Sequence, residues 1–219
     1  MTSAAFNFNG GTVTGTPKLI ASTLNIGTGS TGAATFSIRA TSALSGNIAA
    51  GQTILIQGDG AFGAASLTSA SSFTNAGTIT LQSVDNAQAA TLIVGSNGAL
   101  TNAAAGVINF NTGTGGGRTF SGDLINNGTV NLNESTTFSK SSGSYTNNNA
   151  FNIAADKTLT ISGSSQVFTQ AGGTLTANGL FDMTSAAFNF NGGTVTGTPK
   201  LIASTLNIGT GSTGAATFS

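Results

Sequence analysis

The segment FTNAGTITL (Phe73–Leu81) sets the pattern of the whole chain, and LINNGTVNL (Leu124–Leu132) and YTNNNAFNI (Tyr145–Ile153) repeat it. LTANGLFDM (Leu175–Met183) groups with them, and LTNAAAGVINF (Leu100–Phe110) is the same wording slightly lengthened. The starts, at Phe73, Leu100, Leu124, Tyr145 and Leu175, are unevenly spaced. Each segment closes on an apolar-x-apolar triplet after a break rich in Asn, Ala or Gly. Alternation with period two puts both apolar side chains on one face of a strand and the intervening Asn or Thr on the other.

The triplet recurs along the chain as Phe6/Phe8, Leu24/Ile26, Ile54/Ile56, Ile79/Leu81, Leu92/Val94 and Ile108/Phe110. It continues as Val130/Leu132, Phe151/Ile153, Leu159/Ile161 and Phe188/Phe190. These residues are the expected core ladder. The strands are expected to be about three to five residues long, and no segment carries a capped helical period.

A second repeat is exact. Residues 1–37, MTSAAFNFNGGTVTGTPKLIASTLNIGTGSTGAATFS, recur letter for letter as residues 183–219. The recurrence predicts one tandem unit over 1–182 and the start of an identical unit over 183–219. Met1 then corresponds to the internal Met183, and the chain is expected to be a window of a longer array. Shorter echoes lie inside the unit. QVFTQAGGTLTANG from Gln166 aligns with AAFNFNGGTVTG from Ala186, pairing Phe168 with Phe188, and NIAAGQTILIQG from Asn47 matches NIAADKTLTISG from Asn152.

Composition narrows the class. Only 5% of the residues are charged, six basic against six acidic, while 32 are Gly and 38% are hydrophobic. That is enough apolar material for a core, in a background of Thr, Ser, Asn and Ala that favours strands and tight turns. With no basic stripe to neutralise phosphates, nucleic acid is a poor partner. No apolar run approaches the ~20 residues of a membrane helix. Cys, His and Trp are absent, which removes disulfide, thiolate and imidazole chemistry. The opening MTSAAFNFNG lacks the basic and apolar regions of a signal peptide.

Short strands, frequent turns and irregular coils of ~20–30 residues predict an all-β, right-handed parallel β-helix (a β-solenoid), with each coil stacked at ~4.8 Å on the last. The unit 1–182 then makes about seven to nine coils. A string of β-sandwich domains is the alternative. The runs quoted above, with SGSSQVFTQAGGTLTANG (Ser162–Gly179), resemble passenger regions of bacterial autotransporter and filamentous-haemagglutinin-type adhesins. The resemblance covers most of the chain and is specific to architecture. It implies a secreted β-helix used for adhesion, surface coating or fibres, with the export route open.

Motifs for chemistry are weak. Gly27-Thr28-Gly29-Ser30-Thr31-Gly32 fits G-x-G-x-x-G after the strand TLNI and recurs at Gly209 to Gly214. A dinucleotide site also needs a following helix and an acid about 20 residues on, and AATFSIRATSALSG offers neither. GTGGGR (Gly113–Arg118) lacks the Lys-Ser/Thr of a phosphate loop. The acids Asp59, Asp85, Asp123, Glu134, Asp156 and Asp182 are not expected to form a catalytic carboxylate pair. Gly58-Asp59-Gly60 is a lone fragment of a calcium repeat, and the Thr-x-Thr pairs (Thr12/Thr14, Thr78/Thr80, Thr158/Thr160, Thr174/Thr176) are spaced irregularly. No catalytic residue, cofactor or metal is expected. Function is expected to be structural, an extracellular self-associating filament, sheath or surface layer, with the stalk of a glycan- or cell-binding adhesin as the alternative. The expected partners are other copies of the same chain, and extracellular glycans under the second reading.

Overall fold

The computed structural model describes all 219 residues except Ser96, Asn97 and Gly211. The described residues form 26 strands and no helix. The strands pair in parallel into three sheets, the faces of a right-handed parallel β-helix of about nine turns. The first face has ten strands, from Ala5–Phe8 to Lys200–Ile202. The second has seven, from Phe73–Asn75 to Thr205–Ile208, and the third nine, from Lys18–Ile20 to Thr194–Thr196. The chain visits first, second and third face in turn and returns to the first. Parallel pairing excludes the β-sandwich, whose sheets are antiparallel.

Coils are irregular: the coil that carries the chain from Leu92 to its stacking partner Phe120 is far longer than the next, from Phe120 to Phe138. The earliest coils lack a full second face, where Ile48 makes a single parallel bridge to Asn75. Two of their third-face strands, Ala34–Arg39 and Gln52–Gly58, are long, whereas the first, Lys18–Ile20, is short.

Inward residues stand in columns, which follows from parallel register and period-two alternation. On the third face one column runs Phe36, Ile54, Ile79, Ile108, Val130, Phe151, Leu175, Val195. Beside it runs Leu19, Ile38, Ile56, Leu81, Phe110, Leu132, Ile153, Ala177. Phe8, Leu24, Ile26, Leu92, Val94, Val130, Leu159, Ile161, Phe188 and Phe190 are likewise buried, while Phe6 is half-buried. The rung Ala5–Phe8 pairs only with Thr23–Ile26, so the Phe6 ring is covered from one side and by the edge of Phe36 at 5.2 Å. Phe168 joins Phe151, Phe181 and Phe188 at centroid distances of 5.5, 5.0 and 5.5 Å.

The sequence echoes fall unevenly on the faces. Phe168 does stack on Phe188. Leu175, however, stacks on Phe151 of the third face and not on Tyr145 of the second. Asn47-Ile48 approaches the second face, whereas its echo Asn152-Ile153 lies in the third. A corner needs turn residues only, so one strand–corner–strand phrase serves any of the three corners. The number of residues elapsed then sets the face.

Candidate functional site

Most of the polar features that the sequence singles out are taken up by the fold. In Gly27–Gly32 no helix follows. Ser30 donates from Oγ to the Phe8 carbonyl at 2.9 Å, Gly29 has φ of 79°, and the chain turns into Ala34–Arg39. At the second copy Ser212 makes the same bond to Phe190, and Gly211 lies outside the described residues. In Gly113–Arg118 the loop wraps its own arginine. Arg118 is 1% exposed and donates to the carbonyls of Asn111, Gly115, Gly116 and Gly117. Burial lowers its pKa and Glu134 opposes that shift.

The acids are dispersed. Asp59 accepts from the Ala61 and Phe62 amides and pairs with Arg39 at 2.8 Å, which empties the calcium-like fragment of free carboxylate. Arg39 also donates to Ser37 Oγ and to Gln57 Oε1 and O. Asp123 pairs with Lys140 at 2.7 Å. Glu134 pairs with Lys157 at 3.2 Å. Burial pushes the Glu134 carboxyl up, but the Ser135 amide, Lys157 and Arg118 outweigh it and hold the pKa below the usual value. Asp85 accepts from the Gly60 amide, and Asp182 stacks between Thr160 and Lys200 on the first face. Asp156 is in a left-handed turn with φ of 60°. Among the described residues no three His, Cys, Asp or Glu gather in metal-binding geometry. A surface groove lined by Ile93, Val94, Gly95, Ser121 and Ser139 to Ser142 contains Lys140, already paired with Asp123.

The Thr-x-Thr pairs divide between faces, Thr158/Thr160 on the first and Thr78/Thr80 and Thr174/Thr176 on the third. A straight threonine rank does exist, but across coils: Thr91, Thr119, Thr137 and Thr160 stand in register.

The most developed polar element lies inside. Asn75, Asn102, Asn126, Asn147 and Gln170 occupy one inward column of the second face, all 0–1% exposed. Each side-chain amide donates to the carbonyl oxygen of the next, at 2.8, 2.8, 2.7 and 2.9 Å. The second amide hydrogen goes to the first residue of a third-face strand, to Val107, Thr129, Ala150 and Thr174. The column is closed by Ile48 below and Phe190 above, and Asn75 Oδ1, at the lower end, has no partner among the described residues. Buried amides cost free energy unless paired, so this ladder fixes coil register and the second-to-third corner together. The sequence admits hydrogen-bonded Asn ladders in stacked turns, but does not single out these five residues or their inward column. The signal was parity: each of these residues lies two past an inward apolar residue, as in Phe73/Asn75.

No protein-family model, curated protein or solved structure matches the chain. No helix of the described residues is long and apolar enough to cross a membrane.

Proposed function

We propose that the chain is a unit of a passive, self-associating extracellular filament or surface layer of a secreted bacterial protein, with no catalytic activity. The observation that carries this reading is continuity across the exact repeat. Strand Leu180–Thr184 contains the junction between Asp182 and Met183, and pairs with Thr158–Ser162 below and Lys200–Ile202 above. On the second face Phe168, Phe188 and Leu206 form one column through the same region. A solenoid accepts further coils without limit because each contacts only its neighbours.

Near-zero charge removes the repulsion that keeps soluble proteins apart. The adhesin-stalk reading is weaker for this segment, since glycan sites use exposed aromatics. The one Tyr, Tyr145, is 1% exposed and Trp is absent. The resemblance to autotransporter and haemagglutinin passenger regions agrees with export. Immunogold labelling of intact cells, with fibre diffraction of the shed material, tests the proposal. Surface filaments with a ~4.8 Å meridional spacing are expected. An exclusively intracellular, monomeric protein would overturn it.

A further inference from the structure

The two identical stretches, 1–37 and 183–219, occupy different faces. AFNF is on the first face at Ala5–Phe8 and on the second at Ala187–Phe190. TLNI moves likewise from the first face at Thr23–Ile26 to the second at Thr205–Ile208. KLI moves from the third face at Lys18–Ile20 to the first at Lys200–Ile202. All three shifts are one face forward in the order in which the chain winds. Local pairing is nevertheless the same in both copies. Phe6 stacks on Leu24 as Phe188 stacks on Leu206, and the Val13 and Val195 amides donate to the Ala33 and Ala215 carbonyls.

The winding explains the shift. From Ala5–Phe8 the first face is revisited eight times, the last time by Leu180–Thr184, and the next strand is the second copy of AFNF. The unit 1–182 therefore advances eight turns and one further face. The face of the first copy is fixed in the early coils, where strand Thr41–Ser45, stacked on Thr23–Ile26, pairs with Ala65–Ser69 on the first face.

We infer that successive identical units are related by a screw of one third of a turn, so that every side-chain pattern on one face reappears on the next face one unit along. This rests on the tandem-filament reading above for its extension beyond a single unit. Each unit then rises about 40 Å, and three units of about 25 turns return the pattern to its starting face. A filament built this way has three equivalent sides. The threonine rank Thr91–Thr119–Thr137–Thr160, outward on the first face here, is offered to each side in turn. Lateral contacts with other copies are thus directed at ~120° intervals and not along one ribbon edge.

Two measurements test the inference separately from the filament reading. In the full chain, which has no native Cys, Ala43→Cys/Thr68→Cys pairs residues in register on neighbouring first-face strands. Adjacent strands lie at ~4.8 Å, within disulfide reach. This variant is expected to cross-link under mild oxidation, while Ala43→Cys/Thr74→Cys is not. Preferential cross-linking of the second variant would put Thr41–Ser45 on the second face and overturn the inference. In helical reconstruction of filaments of the tandem protein, a rise of about 40 Å with a rotation near ~120° is expected. Pure translation by that rise would overturn the screw while leaving the filament intact. Isolated beads combined with the Ala43/Thr68 cross-link would overturn the filament reading and leave the one-face shift within the chain standing.

Discussion

Asn102 donates from Nδ2 to Oδ1 of Asn126 at 2.8 Å, one coil further along, and Asn126 passes the bond on to Asn147 at 2.7 Å. One amide thereby links three coils, and its second hydrogen reaches the Ala150 carbonyl. Asn126→Leu keeps the branched shape, in a larger volume, but leaves Asn147 Oδ1 without its donor and Asn102 with one acceptor fewer. A loss of about 2–3 kcal/mol in denaturant melts is expected. Asn126→Asp is expected to lose more at neutral pH, where a buried carboxylate faces the Asn147 oxygen. Burial raises the folded pKa of that new acid, so its stability should recover as the pH falls through that value. Parallel melts at neutral and acid pH check both substitutions.

Gly128 follows the ladder at its corner. A Cβ there would meet the carbonyls of Ala103 and Gly106, backbone atoms of the coil below. Gly128→Ala is therefore expected to force two coils apart and to cost about 1–3 kcal/mol, the range typical of overpacking. Hydrogen exchange should quicken locally at residues 126–129 and 102–106.

Tyr145 is packed among rings, 4.9 Å from Phe138 between centroids. Its hydroxyl lies near the Lys140 backbone but has no partner in hydrogen-bonding geometry among the described residues. Burial, aided by the Asp123 charge, raises its pKa well above the usual phenol value. Tyr145→Phe removes the orphaned hydroxyl and is expected to leave stability unchanged or raise it by up to about 1 kcal/mol. A fall in melting temperature would show that the hydroxyl is bonded.

Phe168 touches three rings from neighbouring strands. Phe168→Ala should cost about 3–5 kcal/mol, since those rings are fixed on separate strands and cannot close the cavity. Denaturant melts of the variant against the parent measure it.

Glu134 supplies a small acid-side dependence. Its folded pKa lies below the ordinary 4.5, so its contribution is complete above that value and is lost as the pH falls through the folded pKa. Because the Glu134–Lys157 pair is partly solvated, the effect should be under about 1 kcal/mol. Glu134→Gln is expected to flatten the acid limb of melting temperature against pH by that much.

The core was legible because period-two alternation needs no knowledge of neighbours. Ile54/Ile56 and Ile79/Leu81 read as inward pairs and stack as such. That stacked Asn can form a ladder was legible, but not which residues form it, because Asn is a turn residue by propensity and only stacking gives it successive partners along the axis. Leu175 misled for the opposite reason, since its wording matched Tyr145 while its coil position did not. Arg39 and Asp59, far apart along the chain, give no local sign of their ion pair.

By itself the sequence determined that the chain forms short strands facing a core, which triplets alternate inward, and that the stretch 1–37 recurs as 183–219. Those properties follow from side-chain hydrophobicity, alternation and identity, which are local or literal. The tertiary structure alone decided which face each strand occupies. Face depends on the summed lengths of all preceding coils, and coils as unequal as Leu92 to Phe120 and Phe120 to Phe138 cannot be summed without seeing where each one closes. Thus the identical TLNI strands at Thr23–Ile26 and Thr205–Ile208 stand on different sides of the same helix.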